Sequence, residues 1–170
     1  MAISKKLIKY LENQGFRYEL VDHKTTFTAW DMSQTKKLKP QQIVKCLVVK
    51  ADNDYLLALL SANRNLDKAK LLKIVNTNRK KEGLKAVKKI ELANESWMKM
   101  NVPGKVGATP PFGKMVKLAI YFDSLLSKNR DLFVGSGDYT ASIKIKTSDY
   151  LKHEQPIKGS FSCARKKRIN

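Results

Sequence analysis

Near the amino terminus, apolar residues fall at Leu7, Ile8 and Leu11, a spacing that places them on one helical face. Ser4 precedes the run as an N-cap and Gly15 follows it as a stop, so the pattern predicts a helix between them. The period then changes. Phe16, Tyr18 and Leu20 alternate with polar neighbours, as in a half-buried strand over residues 16–23. Residues 24–42 are polar with scattered apolar positions, and a helical turn or two fits between Thr28 and Lys36 ahead of Pro40. IVKCLVVKA (43–51) carries the strongest strand pattern of the chain; Asn53-Asp54 reads as a turn and YLLALLSA (55–62) as the hairpin partner.

Asn65 or Asp67 can cap the next helix, LDKAKLLKIVN, with Leu66, Ala69, Leu72 and Val75 expected on its apolar face. After the polar turn NRKKEG, the stretch VKKIELANESWMKM reads as helical in part, with Glu91 and Glu95 one helical turn apart. A glycine- and proline-rich loop, GKVGATPPFG (104–113), separates it from MVKLAIYFDSLL, a strand running into a helical turn after Asp123. DLFVGSGDYTASIKI (131–145) predicts two strands around a Gly135–Asp138 turn, and Ser148 caps a short helix through Tyr150 and Leu151. From Lys158 the apolar pattern stops, which predicts a loose basic end.

Hairpins mixed with helices point to an α/β domain whose sheet is mixed or largely antiparallel, rather than a doubly wound parallel sheet. With 170 residues and no repeat or linker, a single domain over residues 1–157 is expected, followed by the tail 158–170.

Composition changes this picture in one respect. Lysine and arginine total 34 against 15 aspartate and glutamate, a net charge of +19 spread over the whole body. Such a field attracts polyanions, nucleic acid foremost, although a lysine-rich proteome would give the same count. Cys46 and Cys163 have no metal or redox spacing, and no apolar run suits a membrane span or signal peptide, so a reducing, cytoplasmic setting is expected.

Two features invite chemistry. Lys45 interrupts an apolar strand, sharing a face with Ile43, Leu47 and Val49 while Val44, Cys46 and Val48 form the other. Such a lysine either guards an exposed sheet edge or places an ammonium in a cleft, ready for a phosphate or an oxyanion. In the loop, Pro110 and Pro111 stiffen the backbone and leave Gly107, Ala108 and Thr109 as amide donors; one X–Pro bond there could be cis. The loop is otherwise an ordinary connector. Asp138, in the Gly135–Asp138 turn, could orient a hydroxyl or a water if it met the same cleft. His23 and His153 have no metal-ligand spacing, and there is no nucleophile elbow, Walker loop or dinucleotide fingerprint.

The order of these features resembles the YbaK / prolyl-tRNA-synthetase-associated domain family over roughly residues 16–151: the lysine within IVKCLVV, the G-x-x-x-P run Gly107–Pro111 continuing into Phe112-Gly113, then YFD and the G-x-G-D turn. The resemblance implies a single α/β domain with a mixed, curved sheet. It also implies a free-standing deacylase that hydrolyses the ester of mischarged tRNA without cofactor or metal, assisted by the substrate's own 2′-hydroxyl. By similarity, Lys45 holds the phosphate or ribose of the terminal adenosine, and the Gly107 region presents amides to the aminoacyl carbonyl. Ala108, Thr109, Pro110, Pro111, Ser136 and Asp138 join the substrate-binding set. Phe27, Trp30 and Phe112 are candidates to stack on the terminal adenine. The implied partner is the 3′ CCA end of aminoacyl-tRNA, first tRNA(Pro) carrying cysteine or alanine, with association with a synthetase admitted and a monomer or weak dimer expected. Cys46 departs from the family, where a hydroxyl residue often follows the lysine, and Thr109 holds a variable place. The same fold without turnover would be an RNA-binding module, and a small-ester hydrolase is a further alternative.

Overall fold

The computed structural model describes residues 3–36 and 38–165. Its first helix, α1 (Lys5–Gln14), is capped as its sequence dictates: Ser4 Oγ accepts the Leu7 N–H, and Gly15 ends the helix at φ +77°, with Leu7 and Leu11 buried. β1 (Tyr18–Asp22) and α2 (Ala29–Lys36) follow. β2 (Val44–Ala51) and β3 (Asp54–Ser61) form the expected hairpin, but the turn residues are Asp52-Asn53, one position earlier than the sequence suggests, with Asp52 at φ +52°. A short β4 (Arg64–Leu66) leads to α3 (Lys68–Lys81), where Asp67 caps the Lys70 N–H.

The buried stripe of α3 is Leu71 and Val75, not the expected face, because Leu66 belongs to β4 and Ala69 is exposed. Glu91 and Glu95 likewise fall in different elements, β5 (Ile90–Leu92) and α4 (Glu95–Asn101). Pairing of Ile90 with Ala51 holds the first as a strand, and Asn94 starts the second as a helix. The four-residue α5 (Gly113–Val116) precedes β6 (Ala119–Asp123), so the strand expected from residue 115 begins later; a 3-10 turn at Ser124–Lys128 follows Asp123 as expected. β7 (Asp131–Gly135), β8 (Ala141–Lys146) and α6 (Thr147–Glu154) complete the predicted order. Ser148 lies inside α6 rather than capping it.

A mixed sheet of five strands, ordered β5-β2-β3-β6-β9, is antiparallel across β5, β2 and β3 and parallel across β3, β6 and β9 (Ile157–Gly159). An antiparallel sheet β1-β8-β7 meets it at a parallel bridge between Ile43 and Phe133. One face of the larger sheet packs Val49, Leu56 and Tyr121 against α3; the other packs Val48, Leu59 and Phe122 against α1, α6 and the smaller sheet. This is the mixed α/β single domain the patterning predicts. No helix among the described residues is long and apolar enough to cross a membrane.

Residues 158–165 are not loose. β10 (Ser162–Ala164) pairs antiparallel with β4, Phe161 is fully buried beneath α3, and buried Asp123 accepts the N–H groups of Phe161 and Ser162 at 3.0 and 2.9 Å. One apolar side chain and one carboxylate anchor the segment, a signal too sparse for periodicity to register. Residues 166–170 of the expected tail lie outside the described residues. Phe161→Ala is expected to cost about 3–5 kcal/mol, seen as a lower urea midpoint. An unchanged midpoint would mean the segment is not part of the folded unit.

Candidate active site

The candidate site follows from an unfinished sheet edge. β5 pairs with β2 only at Val49–Ala51, with one further bond from the Ala93 N–H to the Val48 carbonyl, while Ile43, just before β2, bridges to Phe133 of β7. Between them, Lys45–Leu47 has β3 on one side and no strand on the other. Because backbone groups alternate along a strand, the N–H and C=O of Cys46 point to the same side as those of Val48, into the gap. A cavity of about 420 Å³ wraps this open edge, walled by Thr28, Ala29 and Trp30 of the α2 region, Lys45–Val48, Met98 of α4, and Val106 and Gly107 of the loop.

Lys45 and Cys46 project to opposite faces of β2, as alternation demands. Cys46 packs toward the α1 side of the sheet, and Lys45 reaches the β4 side, where its Nζ donates to the Arg64 carbonyl at 2.6 Å. Both touch the cavity because it curls around the edge. Burial lowers the pKa of the Lys45 ammonium, and the nearby charge of Arg165 pushes it the same way. Burial pushes the Cys46 thiol up, which keeps it an un-ionised wall of the cavity.

The loop is held by contact with the 135–139 turn. The Lys105 N–H donates to the Gly137 carbonyl, the Gly137 N–H to the Ala108 carbonyl, and the Tyr139 hydroxyl to the Val106 carbonyl at 2.9, 2.7 and 2.6 Å. Gly107 sits at φ +89° with its Cα against the Phe27 carbonyl, where a Cβ would lie 2.1 Å from that oxygen. Only glycine fits such an approach. Ala108 spends its N–H on the Lys105 carbonyl at 3.0 Å, whereas the Gly107 N–H has no backbone partner among the described residues. Of the amides nominated by the sequence, the peptide of Gly107 is the one brought to the cavity.

The other candidates divide. Thr109, Pro110, Pro111 and Phe112 are buried, and no peptide bond among the described residues is cis. Pro111 offers its carbonyl to the Tyr150 hydroxyl at 2.5 Å. Phe112 has no exposed surface and packs among Tyr10, Phe16 and Tyr150, so it is a core residue with no face for a base. These residues brace the loop from behind. Phe27 is 60% exposed and lies edge-on to Tyr139 at 5.0 Å, outside the cavity wall, though its carbonyl seats Gly107. Trp30, by contrast, lines the cavity. Ser136 is buried and donates to the Ala141 carbonyl at 2.5 Å, locking the turn.

Asp138 lines a smaller cavity of about 30 Å³ that shares Thr28, Ala29 and Gly107 with the large one. Its carboxylate accepts the Thr140 hydroxyl and N–H at 2.5 and 2.9 Å and pairs with Lys105 at 3.2 Å, so it ties the loop to the hairpin. These partners hold its pKa down at about 2. A depressed carboxylate pKa contributes stability above the ordinary value near 4, lost as the pH falls through the folded value. Asp138→Asn is therefore expected to cost about 1–2 kcal/mol at neutral pH and progressively less toward pH 2, measured by urea titrations across that range. Among the described residues no group of three or more His, Cys, Asp or Glu is placed to hold a metal ion.

An ammonium, a glycine peptide at positive φ and an apolar wall around one hollow form a site for orienting a polar, activated group. A family model described as an aminoacyl-tRNA editing domain matches residues 23–153. The chain belongs to the aminoacyl-tRNA editing domain family. It is 28% identical over 107 residues to a proline–tRNA ligase of Thermoanaerobacter sp. (strain X514); the aligned stretch is 63% of this chain but 17% of the ligase, so the chain spans a small part of that relative. Its fold matches a candidate trans-editing enzyme for prolyl tRNA synthetase at a TM-score of 0.77, with 21% identity, covering 96% of this chain and 100% of that one. A hypothetical protein of known structure matches at 0.78 with 16% identity, covering 94% of this chain and 100% of that one. Within this editing domain the family match includes Lys45, Gly107 and Trp30, while β10 and Arg165 lie beyond it. Arg165 lines the cavity too. Its sequence neighbourhood, ARKKRIN, has no periodicity; the β4 pairing and the Asp123 anchor bring it there.

Proposed function

We propose that this editing domain is an aminoacyl-tRNA deacylase that hydrolyses the ester of mischarged tRNA in the cavity at the open edge of β2. The observation that carries the reading is that Lys45 and Gly107, distant in sequence, wall the same hollow of about 420 Å³. That size suits a nucleoside with a small aminoacyl group. Lys45 has spent one N–H on the Arg64 carbonyl, which fixes its Nζ, and its remaining protons serve the ribose and phosphate of the terminal adenosine. The Gly107 N–H faces the ester carbonyl and stabilises the oxyanion as water adds. The C–O bond to the ribose then breaks, the ribose oxygen takes a proton, and free amino acid and uncharged tRNA leave.

The ester is already activated by the adjacent ribose hydroxyl, so the protein's task is orientation and charge stabilisation. The apolar wall of Leu47, Val48 and Met98 favours a small, uncharged side chain, and the proline–tRNA ligase relatives direct the first assays to tRNA(Pro) carrying alanine or cysteine. The net charge of +19 supplies salt-sensitive attraction for the rest of the tRNA. Release of labelled amino acid from a panel of mischarged tRNAs tests the reading. Accelerated release from at least one is expected. Binding of tRNA without release from any would leave a non-catalytic RNA-binding module, and hydrolysis of simple esters indifferent to tRNA would make it a small-ester enzyme.

A further inference from the structure

Trp30 and Arg165 lie far apart in sequence and meet at the cavity, where the Arg165 guanidinium carbon lies over the indole, 4.0 Å from its centroid. Arg165 does not arrive on a free tail. Ala164 is paired with Arg64, and the Arg64 guanidinium donates to the Ser162 hydroxyl and carbonyl, both at 3.1 Å. The carbonyl of the same Arg64 receives the Lys45 ammonium. Residue 64 thus couples β10, the strand just before Arg165, to the lysine of the site, and two cations face one hollow, one from β2 and one from the end of β10.

Among the described residues neither cation is in an ion pair. Glu95, at the start of α4, is the acid on the cavity wall. Two unneutralised like charges beside one cavity repel, and an anion bound between them relieves the repulsion. A guanidinium over an aromatic face also keeps its N–H fork available for bidentate contact with phosphate.

We propose that Arg165 is a phosphate-binding residue of this site, held in place by Trp30 and receiving the phosphodiester on the 5′ side of the terminal nucleotide. The assignment rests on the deacylase reading above. It follows from the substrate's chemistry: an aminoacyl ester has no free carboxylate and carries an ammonium, so the anion offered by this end of the molecule is the phosphodiester. Lys45 then serves the ribose and the same phosphate from β2.

The test compares binding of uncharged tRNA with binding of the same tRNA trimmed of its terminal adenosine and that phosphate, by filter binding at fixed salt. Wild type is expected to prefer the intact form. Arg165→Ala should lose about tenfold of the affinity for intact tRNA, the ratio one charge-assisted hydrogen bond carries, with affinity for the trimmed form unchanged. Arg165→Lys should recover part of the loss. Equal loss for both forms, or no loss for either, would overturn the assignment while leaving the deacylase reading standing. A wild type indifferent to trimming would overturn the reading of the cavity, and the assignment with it.

Discussion

Lys45→Ala is expected to slow hydrolysis of a mischarged tRNA by about 10²–10³-fold while the protein stays folded. The ammonium is a fixed positive charge of the cavity: β2 carries it and the 2.6 Å bond to the Arg64 carbonyl aims it. In a hollow with apolar walls its field is screened less than at a free surface. The structural cost is small. The lost bond to a half-buried carbonyl is worth about 1 kcal/mol, and removing the repulsion from Arg165 offsets part of it. Lys45→Arg should not restore the rate, because a planar fork on a longer stem cannot hold both the Arg64 carbonyl and the substrate from the same place. Single-turnover release rates beside urea midpoints separate the two effects. A variant that keeps the wild-type rate would remove Lys45 from the site.

Gly107→Ala should be as damaging, for a different reason. At φ +89° any side chain is strained, and here the added Cβ would fall 2.1 Å from the Phe27 carbonyl oxygen, which is backbone and cannot swing aside. The loop must move, and with it the peptide of Gly107 on the cavity wall. A stability loss of about 1–3 kcal/mol is expected, together with a fall in turnover of at least about 10²-fold, since a displacement near 1 Å is enough to misplace a donor. Gly83→Ala is the control: its φ of +71° is similarly unfavourable, but its Cβ would meet nothing within 4 Å, so it should lose stability and keep its rate. Equal rates for Gly107→Ala and wild type would show that this peptide does not act on the ester.

What the sequence revealed tracks how local each cause is. The Ser4 and Gly15 caps of α1, the β2–β3 hairpin and the β7–β8 hairpin depend on near neighbours, and each is present, the caps at the residues the pattern names. The one-residue shift of the hairpin turn and the altered face of α3 came from register and packing, which propensity does not encode. The order of the carboxy-terminal segment is not written locally, because it depends on Asp123 and β4, far away in sequence. The same holds at the site. Lys45 stood out as a charge in an apolar run and Gly107 as part of a braced loop, both local anomalies. Trp30 and Phe112 looked alike as candidate platforms, and only packing places one at the cavity and the other in the core. Arg165 carried no signal at all within a run of basic residues.

The central claim is that the open edge of β2 receives the charged 3′ end with Lys45 and Gly107 acting on it together. A crystal structure with an amide-linked alanyl-adenosine 5′-phosphate, which keeps the ribose hydroxyl but resists hydrolysis, tests it most directly. The account predicts the nucleoside in the cavity, its ribose and phosphate against the Lys45 ammonium and its carbonyl oxygen at the Gly107 N–H. An analogue bound elsewhere on the protein, or in the cavity with its carbonyl turned away from Gly107, would contradict it.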